Sequence, residues 1–503
     1  MQAPGRRRFD PWVVVVAAVA LATYLPHGFR GLLSRDLGVY AYGARQVLAG
    51  QPPYVGIVNR AGPLAHLLPV PGIVGARLLG GDEVLGMRVW YLVLAVGCVV
   101  LTYVVGRHVF DSRAAGLAAA ATMLSFQGFI DLATTGPREK TPMVLFILCA
   151  VWALSHRRWL LTGISISLAT LTLQISFLPL LAAAVVAVLL VGPGRRLRDL
   201  VRLVLGGAIP VVIVAAYYAA YGALGDLLDG FVLLNLRYSH GRPFTSRAGL
   251  LWGRLEEGYG ASLWLLLAGL VLVVVVAVAR VADRSRRHDL ATATAVALAV
   301  ATIGSLLWTE VDFDSYEDAL TVLPLAALGI GAGIAELELR APRRITIAVA
   351  AVAVLLPTAL AVHYSVTVHD NRLVDQQEAT KALLAQVPNA RIWSIDAPQY
   401  LVLAQEANPT RYQLLSGGLG ANIDDTWPGG LDAFVAWNRA RQPDLVAVNG
   451  LELAVGHWTS RLKPDYVRVG YSPGAFWFAR SSLGPEVLRT LRAEPSLQPP
   501  AGS

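Results

Sequence analysis

The chain has 503 residues, 55% of them hydrophobic and 15% charged, with a mean hydropathy of +0.54. Soluble domains carry about 25% charged residues, so the composition excludes an ordinary soluble enzyme and points to a membrane-embedded helix bundle. The net charge of +8 does not mark a nucleic-acid binder, because the arginines fall between apolar runs, where membrane topology accounts for them. Lysine occurs only at Lys140, Lys381 and Lys463. Together with the Ala, Val, Leu and Gly richness, this suggests a GC-rich bacterial gene and hence a bacterial plasma membrane. The two cysteines, Cys98 and Cys149, lie inside apolar runs and offer neither a disulfide framework nor a thiolate metal site.

Ten uncharged runs follow one another, at 11–28, 89–106, 114–130, 141–155, 159–191, 203–225, 258–279, 290–309, 319–335 and 345–362. Arg6, Arg7 and Arg8 precede the first, with no small-residue cleavage motif, which predicts an uncleaved span. The 159–191 run would make a helix of about 50 Å, too long for one crossing. Arginines flank it on both sides, at 157–158 and 195–202, so its two ends belong on one face of the membrane. A hairpin broken near Gln174 to Pro179 satisfies this and brings the count to about eleven transmembrane helices. With the N-terminus in the cytoplasm, 18 Arg and Lys fall in the six short inner connections and 12 in the four outer loops, whose total length is much greater. This is the direction of the positive-inside rule. An odd number of spans leaves everything after Val362 outside.

The first outer loop, 27–88, is predicted to carry interfacial helices. Ser34 caps a helix over 35–48 that places Asp36 in its first turn, where a carboxylate is favoured. Gly50, Pro52 and Pro53 stop it. Leu37, Ala41, Ala44 and Leu48 form its apolar face, opposite Asp36, Tyr40 and Gly43, which suggests a helix lying on the membrane surface. A broken apolar segment over 63–79 is read as embedded rather than spanning.

Residues 1–363 thus form the transmembrane domain, and 364–483 a small extracytoplasmic α/β domain. In the latter, helices are predicted over 372–387, 399–406 and 431–441, and strands over 391–395, 411–415, 444–448, 466–469 and 476–479. Gly417, Gly418 and Gly420 are read as a loop. The tail over 484–503 is expected to be disordered. The domain is expected to assist acceptor recognition and to carry no catalytic group. Trp393, Trp427, Trp437, Trp458 and Trp477 are either core or sugar-stacking faces.

No nucleotide loop, metalloprotease motif or serine elbow occurs. Chemistry is left to polar residues beside the outer ends of spans. These are Asp36; Arg138, Glu139 and Lys140; Glu310, Asp312, Asp314, Tyr316, Glu317 and Asp318; and Asn235, Arg237, Tyr238 and His240. The acidic group lacks the spacing of a calcium loop, and Gln174 is read as a polar group satisfied between helices.

Arg35-Asp36 in a long first outer loop, then Tyr40, Gly50-Gln51-Pro52-Pro53-Tyr54 and Gly62-Pro63-Leu64, resembles the GT-C superfamily of polyprenyl-phosphate-dependent glycosyltransferases. Protein O-mannosyltransferases and the lipid A aminoarabinose transferase belong to it. The resemblance covers roughly residues 10–340. It implies that Asp36 is the catalytic carboxylate, that Glu139 is the acid of the next outer loop and that Tyr316 is an aromatic near the lipid phosphate. Arg35 departs from the paired Asp-Glu of the protein O-mannosyltransferases, and Gln174 stands where many bacterial relatives have a lysine. The implied donor is a polyprenyl-phosphate sugar and the acceptor a glycan, lipid or protein. Arg60, Arg138, Lys140 and Arg237 are candidate cations for the donor phosphate, with Arg35 and Tyr40 beside the sugar. Asp36 would serve as base in an inverting displacement. No metal site is assigned, although two carboxylates from different loops could hold a divalent cation. The competing reading is a transporter or flippase of a lipid-linked saccharide. Spans nearly free of charge, with no repeated halves, favour the enzyme.

Overall fold

The computed structural model describes residues 10–498 apart from 192, 239–243, 284–288, 417, 450 and 451. Each apolar run becomes a helix, because a chain without water must close its backbone hydrogen bonds locally. Among the described residues, six helices are long and apolar enough to cross a membrane alone. Arg113–Ser125 and Gln127–Thr135, bent by 69°, add a seventh if they count as one broken span. Trp12–Tyr24, Lys140–Ser155, Trp159–Thr172 and Leu323–Arg340 form helices on the remaining apolar runs but are shorter or carry charged last turns. The 159–191 run breaks as anticipated: Leu173 is extended, Gln174–Ser176 forms a 3-10 turn and Phe177–Val191 returns. Small residues let the bundle close. A Cβ on Gly163 would lie 2.0 Å from the Leu203 carbonyl, and one on Gly206 2.0 Å from that of Leu160, so these two helices meet backbone to backbone.

The C-terminal sheet has four strands: β1 (Ile392–Ile395), β2 (Leu445–Asn449), β3 (Tyr466–Ser472) and β4 (Ala475–Arg480), in the order β1-β2-β4-β3. The β1/β2 pair is parallel and the others antiparallel. Residues 411–415, expected as a strand, form a loop. Their backbone meets isolated partners, with Val58 N–H donating to the Arg411 carbonyl (2.9 Å) and Asp396 N–H to that of Gln413 (2.7 Å). Gly418, in the left-handed region (φ +88°), instead opens a helix over Leu419–Thr426. The tail is ordered as far as it is described: Pro485–Ala493 is helical, and Leu491 and Leu497 are fully buried, anchoring a segment whose sparse apolar residues gave little sign of packing. Residues 499–503, Gly417 and His240 lie outside the described residues.

Arg35–Leu48 forms as expected, with the Ser34 hydroxyl accepting from Leu37 N–H. Its setting differs from the expected membrane surface. Residues 37–44 are all buried, and Leu33, Leu37 and Ala41 share one core with Leu383, Leu401 and Trp477 of the C-terminal domain. Gly38 makes this possible, since a Cβ there would lie 2.5 Å from the Gln399 nitrogen. Arg45 donates to the carbonyls of Leu401 and Val402, and Gln376 exchanges two hydrogen bonds with Leu33. The first outer loop and the C-terminal domain are therefore one packed unit.

Candidate active site

Three chain segments converge at one end of the bundle. The first is the start of the Arg35–Leu48 helix. The second is the turn between Thr135 and Lys140, where Gly136 and Pro137 end one helix and Glu139 sits at the N-cap of the next, a position that favours an acid. The third is the 3-10 turn Tyr316–Thr321, held by a capping box between Ser315 and Asp318.

Arg138 is the hub. Its guanidinium lies 2.9 Å from Asp36 Oδ2, 3.3 Å from Glu139 Oε2 and 3.9 Å from Glu317 Oε1. Arg35 closes on the other oxygen of Asp36 at 2.8 Å. Lys140 is spent on Asp318 at 2.7 Å, while Asp318 also accepts from the amides of Asp314 and Ser315. The Tyr40 phenol lies close to Glu139 and is pushed well up, by burial first and by Glu139 next. Tyr316 packs edge-on to Tyr259 and lies close enough to Arg138 to feel its charge.

Asp36 and its partner Arg35 differ in access from Arg138, Glu139 and Lys140. Asp36 lies deep among protein atoms, yet 36% of its side chain stays exposed, against 5% for Glu139, 9% for Arg138 and 6% for Lys140. Burial acts to raise its carboxyl, but Arg138, then Arg35, outweigh that and hold it well below the usual carboxylate range. It is ionised at any physiological pH.

The C-terminal domain reaches this cluster. Arg35 Nη1 donates to Ser416 Oγ (3.0 Å), which donates to Asp396 Oδ1 (2.9 Å). The same oxygen accepts from the amides of Leu415 and Ser416. Burial raises the Asp396 carboxyl, with Arg35 opposing. Sequence reasoning missed both residues. The available signal was position, since Asp396 directly follows the C-terminal end of β1, where α/β sheets place functional groups. It also missed Asp131, whose carboxylate meets His27 at 3.1 Å and the Tyr364 hydroxyl at 2.9 Å beside this cluster.

The main-chain carbonyl of Arg60 accepts from Gln174 Nε2 (3.0 Å) and Asn235 Nδ2 (2.9 Å). Gln174 is thus a satisfied structural amide, as read. Arg237 lines a separate cavity. Three of the tryptophans, Trp393, Trp458 and Trp477, are core. The donor set does not suit a divalent cation. Among the described residues no three His, Cys, Asp or Glu side chains converge as a metal group, and the Arg138 guanidinium takes the place between Asp36 and Glu139.

No protein-family model matches the sequence, and no curated protein sequence does. Solved structures do. ArnT from Cupriavidus metallidurans aligns with TM-score 0.63 and 15% identity over 94% of this chain and 99% of that one. The chain has the GT-C fold. ArnT bound to undecaprenyl phosphate gives 0.60 over the same shares, again at 15% identity. The archaeal oligosaccharyltransferase AglB from Archaeoglobus fulgidus, in complex with an inhibitory peptide and a dolichol-phosphate, gives 0.52 at 14% identity over 93% and 74%. The mycobacterial arabinofuranosyltransferase AftD gives 0.54 at 13% identity, over 94% of this chain and 40% of that one. The GT-C fold thus spans the membrane bundle and the C-terminal domain together.

Proposed function

We propose that this protein is a membrane glycosyltransferase that moves a sugar from a polyprenyl-phosphate donor to an extracytoplasmic acceptor, with Asp36 as base. The observation that carries the assignment is the access of Asp36, whose side chain is part-exposed while that of Glu139 is sealed. The acceptor hydroxyl oxygen attacks the anomeric carbon as the bond from that carbon to the phosphate oxygen breaks. The electron pair leaves on the polyprenyl phosphate and the hydroxyl proton passes to Asp36. The leaving group departs from the opposite face, so the configuration inverts.

The resting site sets a condition on this chemistry. Arg35, Arg138 and Lys140 face five carboxylates: Asp36, Glu139, Glu317, Asp318 and Asp396. A donor phosphate therefore enters a site whose cations are already matched and must take a partner from one of them. Arg138 is the natural one to yield, because it serves three acids. Once it turns to the phosphate, Asp36 loses an opposing charge and its proton affinity rises towards that of a working base. Donor binding thereby switches the base on.

Support for a lipid-phosphate donor comes from ArnT and AglB, which carry undecaprenyl phosphate and dolichol-phosphate. The sugar and the acceptor are left open. The arginine distribution supports a bacterial plasma membrane with the N-terminus inside and the site outside. The test is purified protein in liposomes with radiolabelled polyprenyl-phosphate sugar. Covalent transfer of label to an acceptor, lost in Asp36→Asn, is expected. Label that changes vesicle side and never transfers would identify a transporter instead.

A further inference from the structure

A cavity of about 180 Å³ lies where the outer loop before the Ser262–Ala282 helix meets the C-terminal domain. Its membrane-domain wall carries Asp226, Asp229 and Arg237, and its other wall carries Arg411, Tyr412 and Asn422. We infer that this cavity is the acceptor subsite and that it takes one ring of a neutral oligosaccharide, an inference that rests on the transferase reading.

Charge is the first argument. Two aspartates and two arginines cancel, and Asp226 is already ion-paired to Arg411. A phosphate or carboxylate would find no net attraction here. A sugar hydroxyl, which both donates and accepts, can bridge the free oxygen of a carboxylate and the remaining N–H groups of a guanidinium. Asn422 adds a second donor and acceptor pair. It lies one helical turn from Thr426, which also lines the cavity.

Shape is the second argument. Drug-sized ligands occupy about 300–1,000 Å³, so this volume suits a single ring. Tyr54, Tyr238 and Tyr412 give it aromatic walls for the C–H faces of a sugar. The walls are fixed rather than loose, with Tyr238 OH donating to Asp425 (2.9 Å) and Tyr54 OH to the Ala61 carbonyl (2.6 Å).

Position is the third. A Cβ on Gly418 would lie 2.1 Å from the Tyr238 carbonyl, so Gly418 touches the cavity wall. Two residues earlier Ser416 accepts from Arg35, the partner of Asp36. The cavity and the catalytic carboxylate are thus joined by one short strip of the C-terminal domain. A glycan seated by one ring can direct the next towards Asp36. Arg237, expected at the donor phosphate, belongs on this reading to acceptor recognition.

The test is equilibrium binding of two neutral probes, mannotriose and arabinotriose, to the full-length protein in nanodiscs, by saturation-transfer NMR. Saturable binding of at least one is expected. Asn422→Trp, which fills the cavity, should weaken it about tenfold or more, and Asn422→Ala by a few-fold, as befits lost hydrogen bonds. Both should bind undecaprenyl phosphate within about twofold of wild type, which also shows that they fold. Asp36→Asn should bind the trisaccharide normally, so failure of the subsite and failure of the catalytic assignment give different results. Absence of binding by both trisaccharides, equal binding by Asn422→Trp, or competition by inorganic phosphate would each overturn the inference.

Discussion

The switch of Asp36 by its donor has a kinetic signature. In the free enzyme the carboxyl is held low by Arg138 and Arg35, so it is ionised, and base-competent in charge, throughout the range above about pH 4. When Arg138 turns to the donor phosphate, one opposing charge is lost. At 2.9 Å and an effective dielectric constant of 20, two unit charges interact by about 6 kcal/mol. With 36% of the Asp36 side chain exposed, screening leaves of the order of 1–4 kcal/mol. At about 1.36 kcal/mol per pH unit, the acid limb of kcat should lie roughly one to three pH units above that of kcat/KM. The sign follows from the states each parameter reports: kcat/KM follows the free enzyme, where the proton is held off, and kcat the complex, where it binds more readily. The assay is transfer of radiolabelled sugar from about pH 2 to pH 7 at varied donor concentration, with the limb of kcat entering that range before the limb of kcat/KM. Asp36→Asn should lower turnover at least about 100-fold above the acid limb and abolish the limb, while donor binding survives. Superimposable acid limbs would refute the switch. Near-normal transfer by folded Asp36→Asn would refute the base itself and turn attention to Glu139 or Asp314.

Glu139→Gln leaves Arg138 with Asp36 and Glu317 and removes the negative charge beside Tyr40; donor KM should rise several-fold with kcat less affected, checked by steady-state kinetics. Chelation with EDTA should leave transfer rates within about twofold, because a guanidinium stands between the carboxylates; restoration of a lost rate by added Mg²⁺ or Mn²⁺ would contradict this. Gly38→Ala drives a Cβ to 2.5 Å from the Gln399 backbone and should cost about 1–3 kcal/mol, seen as faster limited proteolysis of the C-terminal domain. Reporter fusions after Gly194 and after Asn371 should read inside and outside respectively; the opposite result at either site means the span count is wrong.

Local physics makes much of this fold legible from the residues alone. Lipid offers no partner to a backbone amide, so each long apolar run had to be a helix, and the excess length of 159–191 forced its break at Leu173. Ser34 caps its own helix, and Asp36 follows from that cap. The four true strands were legible from apolar stretches between turn residues, whereas 411–415 had the composition of a strand without a neighbour to pair with. Tertiary structure decided everything that depends on which distant surface covers which. The Arg35–Leu48 helix is amphipathic whether lipid or protein covers it. Only the fold shows that Leu383, Leu401 and Trp477, more than 300 residues away, do so. Asp396 and Ser416 join the site for the same reason. Arg138 and Arg237 look alike in a sequence, each a basic residue beside the outer end of a span. Packing sent one to the carboxylates and the other to a cavity, because charge type is a property of the residue and charge pairing a property of the assembled chain.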